Sequence, residues 1–214
     1  MTVGRATVRS GDHHPGARAG ADDPATRLPG VVLFLAGSTF LTGIMVAASI
    51  APSYDYHGAA ISDLGVIAET AMLFNLLLVG VGLLNIAGGY VFYRVHRRRA
   101  VFATYVLGGI GAVGAGLMPL DTGAPHSLFA LGGFVFFNIE AVATASVLAG
   151  PMRLISTVAG LIGLVYVVIM VAGDAGAAVF GAIGHGGSER MIVYPAMLWL
   201  LALGGHLMVG DREA

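Results

Sequence analysis

Three short segments hold side chains whose types suit polar chemistry. Ser53-Tyr54-Asp55-Tyr56-His57 is followed by Ile61-Ser62-Asp63-Leu64-Gly65, which gathers carboxylates, an imidazole and hydroxyls. Pro119-Leu120-Asp121-Thr122-Gly123-Ala124-Pro125-His126 is a tight turn by its Pro and Gly, and its brevity draws Asp121 toward His126. Gly184-His185-Gly186-Gly187-Ser188-Glu189-Arg190 supplies a further imidazole, an acid and a guanidinium. A carboxylate beside a histidine can orient the ring for proton transfer or for metal binding. Asp63, Asp121, His126 and His185 are residue types that bind a divalent metal, with His57 as a further donor. The competing roles are structural. Ser62 and Asp63 can cap a short helix or the helix that follows, Asp121 can be an N-cap, and Ser188 reads as the N-cap of a helix with Glu189 and Arg190 in its first turn.

A second set lies inside apolar stretches. Counting from the end of each stretch nearest the three segments, Asn85, Glu140 and His206 fall at one depth, about 21 to 23 Å down. A charged group near the middle of a membrane helix costs about 2.5 to 3.5 kcal/mol, so Glu140 needs a partner inside the bundle. Pairing with His206 or Asn85 gives either a proton relay or a neutral, hydrogen-bonded layer that glues helices together. Asn75 and Asn138 read as hydrogen-bonding glue at other depths, and Asp174 is placed to join the first set.

The elements that must position these residues are six predominantly apolar runs at 29–51, 71–93, 101–118, 125–149, 154–174 and 189–209. Each is long enough to cross a hydrocarbon core of about 30 Å. The expected fold is all-α: a polytopic membrane protein, a six-helix transmembrane bundle over 29–209, with a disordered tail at 1–28 and a short tail at 210–214. All 11 basic residues are arginines. Arg5, Arg9, Arg18 and Arg27 precede the first run, Arg94, Arg97, Arg98 and Arg99 follow the second, Arg153 follows the fourth and Arg212 the sixth. By the positive-inside rule these gaps and both termini are cytoplasmic, in the cell membrane, and the three polar segments face the other side. Arg190 alone breaks the pattern and so needs a partner. Asp63, Asp121 and the phosphate of a lipid are the candidates.

A mean hydropathy of +0.84 and a charged fraction of 11% exclude an ordinary soluble domain. With no cysteine there is no thiol chemistry and no disulfide. The arginines are accounted for by topology, which leaves nucleic-acid binding unsupported, and no cofactor is implied. No ring of charges suggests a channel. Gly108, Ala112 and Gly116, four apart, form a stripe of small residues for close packing, and Tyr54, Tyr56, Tyr93, Tyr194 and Trp199 fit interfacial anchors.

With Ile61 to Gly65, Asn75, the turn from Pro119 to His126 and the segment from Ser188 to Pro195 in place, the chain resembles the prokaryotic membrane-protein family called domain of unknown function 998. The resemblance spans 29–209 and implies a six-helix membrane fold with no established reaction. Ile61, Ser62, Asp63 and Gly65 also carry a more distant similarity to the Frag1/DRAM/Sfk1 family, which implies a link to lipid and membrane homeostasis; the proline pattern that follows in that family is absent here. Three functions are therefore expected in order. The first is binding of lipid or a partner through Ser62, Asp63, Asp121, His126, Ser188, Glu189 and Arg190. The second is an outward-facing hydrolase acting on a lipid-like substrate, and the third is a small proton-coupled transporter using Glu140 and His206.

Overall fold

The structure is a computed structural model that describes residues 24–209. Of the expected tails, residues 1–23 and 210–214 lie outside the described residues, while residues 24–28 form the first turns of the first helix. Six long helices account for most of the rest: α1 Pro24–Ile50, α2 Ala71–His96, α3 Arg99–Leu117, α4 Ala124–Ala145, α5 Gly150–Asp174 and α6 Gly184–Val209. Single 3-10 turns at Ile61–Gly65, Leu120–Thr122 and Gly181–Ile183 interrupt the three connections at one end. Helices are the expected solution in a solvent without hydrogen-bonding partners, because each satisfies its own backbone.

Local sequence sets the ends. Arg97 takes a left-handed conformation (φ 57°) after α2, and its N–H donates to the Tyr93 carbonyl, which closes the helix before α3 starts two residues later. Gly123 and Gly150 have positive φ and are followed by Pro125 and Pro151 in the opening turns of α4 and α5, where a missing N–H costs nothing.

Each helix packs on its neighbours in sequence, and α6 packs back on α1, so the six form a closed ring. Glycines allow the closest crossings. A Cβ at Gly82 would stand 2.5 Å from the Gly109 carbonyl oxygen, and one at Gly30 would stand 2.6 Å from that of Gly204. The stripe expected from Gly108, Ala112 and Gly116 divides between two neighbours: Gly108 lies against Phe137 of α4, and Gly116 lies against Asn75 and Leu78 of α2. Because α3 is wedged between α2 and α4, both of its flanks need small residues.

Leu154, Val158, Leu161, Val165 and Val168 recur at helical spacing on α5 and are all exposed, as expected where lipid is the solvent. Trp199, expected at the membrane interface, is instead buried in the core. Its Nε1–H donates to Ser156 Oγ at 2.8 Å, and Ser156 donates to the Met152 carbonyl. An indole can be buried that deeply only because its single donor is satisfied.

Candidate functional site

The connection between α1 and α2 folds onto the start of α6. The Asp55 carboxylate accepts from the N–H groups of His57 (3.0 Å) and Gly58 (2.9 Å), and these two bonds hold its carboxyl below the usual range. Asp63 Oδ2 accepts from the Ala60 N–H at 2.8 Å, which is the capping role weighed for it. Thr70 Oγ1 donates to the Leu64 carbonyl, and Asn75 Nδ2 donates to that of Gly65, pinning the 3-10 turn to α2. From α6, the buried Glu189 accepts the Ile61 N–H at 2.7 Å, and the Gly186 N–H donates to the His57 carbonyl.

Arg190 completes this joint, but not through an acid. Its NH1 donates to the carbonyls of Tyr56 (3.1 Å), Ala59 (3.4 Å) and Gly186 (2.7 Å), and its NH2 donates to Tyr54 Oη at 2.7 Å. The guanidinium also lies over the Tyr56 ring, 4.7 Å from its centroid. Burial pushes the Tyr54 phenol up to about 12, against the opposing pull of Arg190, so this hydroxyl stays neutral and donates to the Ala60 carbonyl. The partner expected from Asp63, Asp121 or a lipid phosphate is thus replaced by backbone carbonyls and tyrosines. Ser188 is not an N-cap either. The helix already begins at Gly184, and Ser188 Oγ donates back to the Gly184 carbonyl at 2.8 Å.

His126 is buried at the start of α4, with Nδ1 2.7 Å from the Met118 carbonyl at the end of α3. A carbonyl can only accept, so Nδ1 carries a proton, and the tautomer this selects keeps its lone pair on Nε2. Asp121 is exposed on its 3-10 turn and makes no ion pair with His126. His185 instead sits 3.3 Å from Asp174. Among the described residues no three His, Asp or Glu side chains are grouped to hold a metal ion, so Asp63, Asp121, His126 and His185 do not form the metal site weighed for them.

Two cavities meet at this end of the bundle. An inner chamber of about 70 Å³ lies between α1, α2, α3, α4 and α6 and is walled mainly by apolar groups such as Phe40, Phe74, Val81 and Phe137. A larger cleft of about 270 Å³ lies between α4 and α5, with α6 contributing its floor. Exposed Leu131 and Val171 form its rim, and Asp174 and His185 stand at its polar end. Ser62, His126, Ala130, Phe134, Glu189 and Ile192 line both spaces. At this junction Ser62 Oγ, His126 Nε2 and Glu189 Oε1 make no hydrogen bond to another described residue. Ala130, Phe134 and Ile192 were not singled out from sequence. On α4, however, His126, Ala130, Gly133, Phe134 and Phe137 follow a helical period, so the face begun by His126 could have been followed inward.

The deeper layer is only partly assembled. Asn85 Nδ2 donates to Glu140 at 2.8 Å and to the Tyr105 carbonyl at 3.2 Å, while Tyr105 Oη pairs with Thr144 Oγ1 at 3.1 Å. His206 is exposed on the outside of α6 and does not join them. The proton relay of Glu140 with His206 is therefore not formed. Glu140→Gln keeps an acceptor for Asn85 and should leave the melting temperature in detergent within a few degrees. Asn85→Leu leaves the carboxyl without its donor and should cost about 1 to 3 kcal/mol, read as a clear drop in the same melt.

Among the described residues six helices are long and apolar enough to cross a membrane, and packed as one bundle they define a multi-pass membrane protein. The chain belongs to the family described as protein of unknown function (DUF998), whose family model matches residues 34–206. No curated protein and no solved structure matches it.

Proposed function

We propose that this protein binds a membrane lipid or lipid-like amphiphile through the cleft between α4 and α5. The observation that carries the reading is the junction of the two cavities, where unpaired polar atoms of Ser62, His126 and Glu189 stand between an open cleft and an apolar chamber. His126 and Glu189 are buried and Ser62 is half-buried, and polar atoms that face a cavity without a protein partner suit a ligand that supplies hydrogen bonds. The apolar rim at Leu131 and Val171 gives a chain a route from the bilayer without crossing water. The arginine pattern supports an orientation with the cleft at the non-cytoplasmic side of the cell membrane and both termini at the other. Ala130→Trp, at the wall shared by both spaces, should abolish co-purification of lipid in native mass spectrometry while the protein still melts cooperatively. Lipid retained at the wild-type level by a folded variant would overturn the reading.

The tautomer of His126 favours hydrolysis of such a ligand as a second reading. With Nδ1–H fixed on the Met118 carbonyl, Nε2 is set to act as a general base near Ser62. Loss of ester-lipid turnover in His126→Gln beyond any fall in lipid binding supports it; unchanged turnover refutes it.

A further inference from the structure

The lining of the cleft also limits the headgroup, an inference that rests on the lipid reading above. Among the described residues neither cavity is lined by an arginine, and the chain has no lysine. The one guanidinium near the site, that of Arg190, has its NH1 and NH2 groups committed to Tyr56, Ala59, Gly186 and Tyr54. A phosphate headgroup would therefore meet no forked cationic donor, the group that usually recognises it. What the cleft does offer is acceptors. Glu189 is 4% exposed and lines both spaces with one oxygen on the Ile61 N–H and the other unpaired. His126, also 4% exposed, has its Nε2 lone pair unpaired at the same wall. Asp174 stands at the polar end of the cleft, more than half exposed and shared only with His185. Two carboxylates, an imidazole acceptor and a serine hydroxyl beside an apolar chamber complement a group that is positive and rich in N–H donors.

We propose that the cleft selects an amphiphile bearing an amine headgroup, with the ammonium between Glu189 and Asp174, His126 Nε2 and Ser62 accepting from it, and the chain passing between Leu131 and Val171 and toward the inner chamber. The charge of the headgroup, rather than its size, is what discriminates.

The full chain, purified in a neutral detergent, can be titrated with hexadecylamine, hexadecyl phosphate, hexadecanol and chainless ethanolamine, with binding read by native mass spectrometry and by ligand-induced shift of the melt. Hexadecylamine should bind at least about tenfold more tightly than either hexadecyl phosphate or hexadecanol, and ethanolamine should not bind measurably. Glu189→Gln still offers an oxygen to the Ile61 N–H, and Asp174→Asn lies away from that joint. Each should lower the affinity for hexadecylamine about tenfold and leave that for hexadecanol unchanged. Phosphate or alcohol bound as tightly as the amine would overturn the headgroup assignment while leaving the lipid reading standing. Failure of all three long-chain probes would overturn both, and ethanolamine bound as tightly as hexadecylamine would show an amine site that takes no lipid.

Discussion

Arg190→Lys should release the segment 53–60 from the start of α6 and lower stability by about 2 kcal/mol, with Arg190→Met lowering it further. The guanidinium reaches three carbonyls and a phenol at once, on both sides of the joint between the first connection and α6. An ammonium has three donors on one atom and cannot span Gly186 and Tyr54 while also reaching Tyr56 and Ala59. Its loss leaves carbonyls that the fold has turned inward, and the stacking on Tyr56 weakens as well. Partial exposure of these bonds keeps the expected figure moderate. Two measurements check it: the melt in detergent, and hydrogen exchange of the Ala59 and Gly186 N–H groups, which donate to the Asp55 and His57 carbonyls beside the released contacts and should exchange faster in both variants. Wild-type exchange in Arg190→Lys would show that the contacts do not hold the segment.

Gly111→Val should be more damaging, by about 3 kcal/mol or more. Here α3 and α4 meet backbone to backbone: a Cβ on Gly111 would press directly on the Gly133 amide, with no flexible side chain to yield. Relief requires the two helices to separate, which would strip contacts along their shared length and deform the inner chamber that Gly111 and Gly133 both line. Gly132, one residue away, is the control. Nothing lies within 4 Å of a Cβ there, so Gly132→Ala should stabilise α4 by about 0.5 to 1 kcal/mol. A melt showing Gly111→Val close to wild type would mean that α3 and α4 can separate at this crossing without cost.

The existence of all six helices was legible because membrane-spanning length leaves a long apolar run that nothing else in the sequence imitates. The start of α6 was not. His185-Gly186-Gly187-Ser188 reads as a loop, yet it is helical because Gly186 has no side chain to collide with the carbonyls of Tyr56 and Ala59, which pack against that turn. Arg190 was legible as a residue in need of a partner. Its partners were not, since backbone carbonyls leave no mark in a sequence, whereas nearby acids do. The deep layer failed for a different reason. Depth alone placed His206 beside Glu140, but Leu203 and Gly204 are the last buried residues of α6, and His206, beyond them near the end of the helix, is exposed. Asn85 had both the depth and the direction.

The closed ring has a consequence for how the protein is made. Five of its six helix pairings join segments adjacent along the chain, so each can form as the next hairpin enters the bilayer. The pairing of α1 with α6 is the exception, and it depends on Gly30 and Gly204 coming within backbone contact at the two ends of the sequence. Until synthesis of α6 is complete, the glycine face of α1 stands open to lipid or to the α6 of another copy. Assembly therefore has one late, long-range step, and a copy that closes on its neighbour's last helix instead of its own would be an exchanged dimer with every native contact preserved.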